Sequence, residues 1–222
     1  MVISRRFSTR RYRDRAHAGR VLAERLSSDL RGRDDTIVLA LPRGGVDVAA
    51  PIAEDLRAPL DVYLVHKIGV PWEPEVAAGA IGADDAVVMN DDVLRATGLT
   101  PARLAEAVDA ARTELRRRDA AYRDRRPQPV VAGRTVVLVD DGVATGATMN
   151  VAVRALRSRG AGRIVVAVPA GPVGTADMFP EADSVVCPYT PEDFIGVGGA
   201  YDDFAQLTDA RVRSVLDQFT DR

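Results

Sequence analysis

The chain has 222 residues, 46% hydrophobic and 28% charged, with 30 Lys+Arg against 32 Asp+Glu for a formal charge of −2. That length supports one large α/β domain with a real core, and the charge balance gives no reason to expect nucleic acid as a bulk partner. Cys187 is the only cysteine, which excludes an intramolecular disulfide and a thiolate metal cluster; two histidines leave little for a zinc site. No apolar run approaches the ~18 residues of a membrane span and the N-terminus lacks the apolar core of a signal peptide, so a soluble cytoplasmic protein is expected.

Residues 1–13 are basic and polar and read as an arm over the surface. From Asp14, the residues Ala18, Val21, Leu22, Leu26 and Leu30 fall at helical spacing, and Gly32 closes that helix. Residues 36–41 form a β-branched and Leu-rich run that reads as a buried strand. It ends in Pro42-Arg43-Gly44-Gly45, followed by a helix over residues 46–56 with Pro51 as a weak point. A glycine pair between strand and helix frees the backbone to approach a ligand, and Arg43 brings a permanent charge to the same edge. This is a candidate anion site, against the plainer reading of a tight turn with an exposed arginine.

Residues 61–65 read as the next strand, delivering His66 and Lys67 to its carboxyl end, where open α/β sheets bind ligands. Lys67 is the stronger candidate of the two, since a histidine in that setting is more often structural. Residues 69–82, with Pro71, Trp72 and Pro74, read as a loop or hairpin entry without regular structure, and residues 87–89 as a short strand. Trp72 could touch a base, against the commoner case of an exposed or locally packed tryptophan. Thr100 and Pro101 open a helix reaching about Tyr122, with Leu104, Ala107, Val108, Ala111 and Leu115 on its apolar face. Arg116, Arg117 and Arg118 on it read as a solvated helix end, because acids are interleaved with them.

The stretch Val136 to Met149, VVLVDDGVATGATM, carries the most chemistry. A buried strand ends at Asp140 and Asp141; Gly142 and Gly146 allow a tight turn, and Thr145 and Thr148 offer hydroxyls where a helix over residues 148–159 begins. A helix N-terminus behind a small Gly/Thr-rich turn is a cradle for phosphate, while the acids suit a vicinal diol or a hydrated Mg²⁺. The turn has no lysine, so it is not a P-loop, and its acids precede the glycines, so it is not a dinucleotide fingerprint. Residues 163–168 and 184–187 read as two further strands. Strands alternating with helices give an α/β fold with a doubly wound, mainly parallel sheet of about five strands. The tail, residues 188–222, holds Tyr189, Phe194, Tyr201 and Phe204 among glycines, then a helix over residues 208–219.

Hydrophobic strand, acid pair and a loop ending Thr-Gly-x-Thr closely resemble the phosphoribosyl diphosphate (PRPP) motif of the type I phosphoribosyltransferases. The resemblance covers the core, residues 36–187, within a single domain of residues 1–222. It implies a flexible loop over about residues 68–90 and a small hood for the acceptor built from residues 1–13 and 188–222. Carried over, Asp140 and Asp141 would bind the ribose hydroxyls, and Gly142, Ala144, Thr145, Gly146, Ala147 and Thr148 would line the 5-phosphate turn. Arg43 and Gly44 would face the pyrophosphate, with Lys67 adding positive charge. Catalysis would then rest on Arg43, Lys67, Asp140 and Asp141. Mg²⁺ would be the cofactor, carried by PRPP itself with the acids reaching it through water and no direct protein ligand. Ala144 stands where hypoxanthine-guanine enzymes have an aspartate, which argues against a 6-oxopurine acceptor. A homodimer is compatible with the resemblance and not dictated by the sequence. The alternatives are a non-catalytic PRPP sensor on the same fold and, more weakly, a hydrolase or phosphorylase of ribose phosphates.

Overall fold

The computed structural model describes residues 11–82, 87–123 and 127–219, apart from the side chains of Pro74 and Glu75. Most of the expected basic arm, residues 1–10, and residues 83–86 of the expected loop lie outside the described residues. In chain order the elements are α1 (Arg15–Leu30), β1 (Thr36–Ala40), α2 (Gly44–Leu56), β2 (Leu60–Val62), β3 (Val65–Val70), β4 (Glu73–Gly82), β5 (Val87–Met89) and α3 (Asp91–Thr97). They continue with α4 (Ala105–Arg123), β6 (Thr135–Val139), α5 (Ala147–Ser158), β7 (Arg163–Ala167), β8 (Ser184–Val186) and α6 (Asp209–Asp217). Short 3₁₀ turns precede α4 and occupy Thr175–Met178 and Val197–Ala200.

Five strands form one parallel sheet in the order β2-β1-β6-β7-β8. Every residue of β1 and β6 is buried, and alternate residues feed opposite layers. Val38, Ala40, Val137 and Val139 pack with α1, α2, α4 and α6, while Ile37, Leu39, Val136 and Leu138 pack with α5. A strand covered on both faces must be apolar throughout, which is why these runs show no alternation in the sequence. From β1 the chain proceeds outward to β2 on one side; from β6 it proceeds to β7 on the other. The loops after β1 and β6 therefore part at the topological switch point, the place where such sheets open a crevice.

Residues 61–65 do not form one strand. The parallel strand ends at Val62, and the chain re-enters extended structure at Val65 as the edge of a separate antiparallel sheet, β3-β4-β5. His66 and Lys67 thus lie within β3, opposite Ile81 and Ala80, rather than at the end of a parallel strand. The break is hidden because Tyr63 and Leu64 between the two strands are also buried, each in a different core layer. Residues 69–82 are likewise not irregular: β4 is ten residues long and central in its sheet. Pro74 is tolerated because the ladder shifts register between Val70↔Glu73 and Gly69↔Ala77, so that no regular cross-strand bond is required there. Helix α3 was also unexpected; Asn90 caps it by accepting from the Val93 N–H.

Two anchors place the outer helices. Arg123, fully buried at the end of α4, donates to Asp61 and to the Val62 carbonyl at the end of β2, and to Asp119 at 2.6 Å. Tyr12 joins the N-terminal segment to the tail: its N–H donates to Ala200 O at 2.8 Å, its carbonyl accepts from the Asp202 N–H at 2.8 Å, and its hydroxyl donates to Pro169 O beyond β7 at 2.9 Å. Both chain segments therefore cover the carboxyl edge of the sheet.

Candidate functional site

The turn after β6 is pressed into shape from two sides. Val143 N–H donates to Ala170 O at 2.9 Å, and a Cβ on Gly142 would sit 2.5 Å from a Val197 methyl. Gly146 adopts a φ of +71°, at the N-cap of α5, with Phe179 directly above it. Only glycine takes that conformation at no steric cost, which explains the second glycine of the turn. Asn150, one turn into α5, secures the same corner by donating Nδ2 to Met178 O at 2.9 Å. The result is a cleft of about 120 Å³ lined by Asp140 and residues 142–149, with the N-terminus of α5 at its floor. Ala144, Thr145 and Thr148 are exposed on this turn, and Thr145 Oγ1 accepts the Ala147 N–H at 3.5 Å, at the start of a helix whose first N–H groups have no intrahelical acceptor.

The loop after β1 lies against it. Leu41 N–H donates to Val139 O at 2.8 Å, and a Cβ on Gly45 would be 2.6 Å from the same carbonyl. A Cβ on Gly44 would fall 1.8 Å from Asp141 Oδ2, so the Gly-Gly pair is what lets the loop touch the acid pair. The Pro42–Arg43 peptide is cis, and Arg43 is exposed at the start of α2.

The two acids have different surroundings. Asp140 faces the cleft and accepts the Asp141 N–H at 2.8 Å. Burial first, and then the neighbouring Asp141 charge, hold its pKa well above the ordinary aspartate value. Asp141 is turned away from the cleft lining and bound by Arg15, whose Nε and a terminal nitrogen each lie 2.8 Å from Oδ2. Its pKa is also raised, burial outweighing the guanidinium. Arg15 is itself nearly buried: a third nitrogen donates to Ala205 O at 2.8 Å, and its guanidinium lies 4.0 Å from the centre of the Phe204 ring. Phe204 stacks on Tyr201, whose hydroxyl donates to the Asp141 carbonyl at 2.5 Å.

The sequence-predicted residues therefore divide. Asp140, Gly142, Ala144, Thr145, Gly146, Ala147 and Thr148 line one cleft; Gly44 and Asp141 are in contact beside it; Arg43 stands on the adjoining loop. Lys67 sits half-buried in β3, and His66 beside it has its pKa lowered by burial and then by Arg118. Trp72 is largely exposed at the β3–β4 turn. Among the described residues no group of three or more His, Cys, Asp or Glu is arranged to hold a metal ion, and no helix is long and apolar enough to cross a membrane.

A family model, described as the phosphoribosyl transferase domain, matches residues 11–202. The chain belongs to the phosphoribosyl transferase family. Two sequences from Mycobacterium tuberculosis, strains CDC 1551 and H37Rv, each provisionally named a phosphoribosyl transferase, are 47% identical over 206 residues, 92% of this chain and 46% of theirs. The chain thus spans about half the length of these relatives. The crystal structure of TT1426 from Thermus thermophilus superposes with a TM-score of 0.86 at 42% identity, covering 94% of this chain and 99% of that one.

Within this phosphoribosyl transferase domain, sequence reasoning passed over Arg15. It is one of several arginines near the N-terminus, and its partner lies 126 residues away. The one local signal was its place just after the cap Asp14, at the start of a helix whose other buried residues are apolar or glycine.

Proposed function

We propose that this chain transfers a 5-phosphoribosyl group from PRPP to a nitrogen acceptor, releasing pyrophosphate. The observation that carries the reading is the cleft in which a partly buried carboxylate, Asp140, without an ion-pair partner among the described residues, stands beside a Gly/Thr turn and the start of α5. That combination fits a group with hydroxyls a few ångströms from a phosphate, and a ribose 5-phosphate has both. The Arg43-Gly44 loop on the same edge supplies a place for a second, larger anion, which favours PRPP over a simple sugar phosphate.

The donor set also fits Mg²⁺ carried by the diphosphate. Asp140, disfavoured as an anion by burial and by Asp141, gains from a cation or from hydroxyl donors nearby. When bound, Mg²⁺ neutralises charge on the diphosphate. The protein's own part is positional and electrostatic. The turn holds the 5-phosphate, Asp140 orients the ribose hydroxyls, and Asp141, held by Arg15, keeps the Gly44 loop close beside them. Arg43 and Lys67 offset the charge that grows on pyrophosphate as the C1–O bond breaks and the ribose becomes oxocarbenium-like.

The acceptor reading rests on Ala144. With no carboxylate before Thr145-Gly146, a base whose proton must be accepted there is disfavoured, so a nucleobase other than a 6-oxopurine is proposed. Tyr201 and Phe204 of the proposed hood lie over Asp141 and its partner Arg15.

Mg²⁺-dependent PRPP binding by calorimetry, followed by pyrophosphate release with a panel of bases, tests the reading. Absence of PRPP binding would sink it, and binding without release for any base would point instead to a PRPP sensor. Asp140→Asn combined with Asp141→Asn is expected to abolish PRPP binding; unchanged affinity would refute the ribose assignment.

A further inference from the structure

The arginines in the middle of α4 are carried to the crevice by the way that helix is anchored. Buried Arg123 ties its C-terminal end to Asp61 and Val62 at the carboxyl end of β2, and the Tyr122 hydroxyl donates to Asp209 at the start of α6 at 2.6 Å. With the register of the helix fixed, Arg117 and Arg118 come beside the loop that follows β1. Together with Pro42, Arg43, Tyr122 and Asp209 they line a cleft of about 150 Å³.

Three guanidinium groups line this space against one carboxylate, Asp209, which is already taken by Tyr122. Among the described residues Arg43 has no ion-pair partner. Arg117 and Arg118 are held together from outside the cleft by Glu114, which accepts from Arg117 at 2.8 and 2.9 Å and from Arg118 at 2.7 Å. Such exposed pairs contribute little to stability, so their part is to hold two guanidinium planes in place, whose nitrogens not bonded to Glu114 an anion can engage without first ordering them. A monovalent carboxylate would use only one guanidinium; a diphosphate has the charge and the oxygen atoms for all three.

We propose that Arg43, Arg117 and Arg118 form one anion-binding cleft that takes a diphosphate group. Its ligand at work would be the leaving end of PRPP, an identification that rests on the phosphoribosyl reading above. The same chemistry could come from a free polyphosphate acting as an effector, and the experiment separates the two.

Binding of inorganic pyrophosphate, PRPP and ribose 5-phosphate is measured by calorimetry for the wild type, for the double variant Arg117→Ala with Arg118→Ala, and for Arg116→Ala, which removes the same charge from an exposed position of the same helix outside the cleft. The double variant is expected to weaken pyrophosphate and PRPP by roughly tenfold to a hundredfold, the loss of charged hydrogen bonds, and to leave ribose 5-phosphate and Arg116→Ala unchanged. Both arginines are exposed, so the variant keeps its fold, checked by an unaltered melting curve. Unchanged pyrophosphate affinity in the double variant, or an equal loss in Arg116→Ala, overturns the cleft while wild-type PRPP binding leaves the phosphoribosyl reading standing. Pyrophosphate binding that depends on Arg117 and Arg118 in a protein that binds neither PRPP nor ribose 5-phosphate would keep the cleft, as an effector site, and remove the phosphoribosyl reading.

Discussion

Arg15 and Asp141, 126 residues apart, form a doubly bonded pair with 9% and 15% of their side chains exposed. The pair separates two neighbouring acids into one committed to protein and one facing the ligand cleft. Removing one member of such a pair leaves a buried charge alone, at a cost of about 3–5 kcal/mol. Arg15→Met is therefore expected to lower the melting temperature by several degrees, at roughly 2–4 °C per kcal/mol, and to weaken PRPP. Adding Asp141→Asn should recover part of the lost stability, because the stranded charge goes with it. Strict additivity of the two changes in chemical denaturation would show that the pair does not act as a unit.

Asp140 makes a prediction about pH. Its folded pKa is raised by burial and by Asp141, so between the ordinary aspartate value and the folded value the native state binds more protons than the unfolded chain. Stability of the ligand-free protein then falls as pH rises through that window and levels off above it. Asp140→Asn should shrink this decline to the part that Asp141, also raised by burial, contributes, making the protein more stable at neutral pH while weakening PRPP binding. Denaturant midpoints across an acid-to-neutral series read the slope, and an identical slope in wild type and variant would contradict the assignment.

Two glycines are tested by a single methyl group. Gly44→Ala places a carbon 1.8 Å from Asp141 Oδ2, the atom that Arg15 holds, so either the acid or the loop after β1 must move, and both PRPP affinity and stability should fall. Gly146→Ala is strained by its φ of +71°, costing about 1–2 kcal/mol in denaturant unfolding. A stable Gly44→Ala variant with full PRPP affinity would show that the contact is dispensable.

Arg123→Met should be among the most damaging changes outside the site. Asp61, Asp119 and the Val62 carbonyl all lose a donor, an expected loss of about 3–5 kcal/mol by chemical denaturation. Because Arg123 also fixes α4 beside Arg43, any folded fraction should bind pyrophosphate more weakly than wild type.

Cys187 should be inert in the native state. Burial pushes its thiol up to about 11, so little thiolate exists near neutral pH. A disulfide exchange reagent is expected to react slowly with native protein and at once after denaturation; rapid labelling of the native chain would contradict this.

The parallel sheet was legible because β1, β6 and β7 are buried on both faces, and a β-branched run between turn residues has few other outcomes. The antiparallel sheet was not, for two separate reasons. The apolar run from Val62 to Val65 crosses from β2 into β3 without a polar break, and Pro74, normally evidence against a central strand, falls where the ladder slips. At the candidate site, the Gly/Thr-rich turn could be read from local pattern because its acids, glycines and hydroxyls are neighbours in the chain. Arg15 could not, since its role depends on Asp141 and Ala205, reached only through tertiary packing. Arg117 and Arg118 looked like a solvated helix end for a sound local reason, the interleaved Glu114. What turns them toward the crevice is the anchorage of Arg123 and Tyr122, which no helical periodicity reveals.

The knot of contacts joining Tyr12 and Arg15 to residues 200–205 also has a bearing on synthesis. Arg15 meets Ala205 across a separation of 190 residues. During translation the Rossmann-like sheet can form once β8 has emerged, yet Asp141 cannot be held in its final place until residue 205 has cleared the ribosome. The acid pair is thus completed after the sheet, and nascent chains carry the Gly/Thr turn for some time before they carry a finished site.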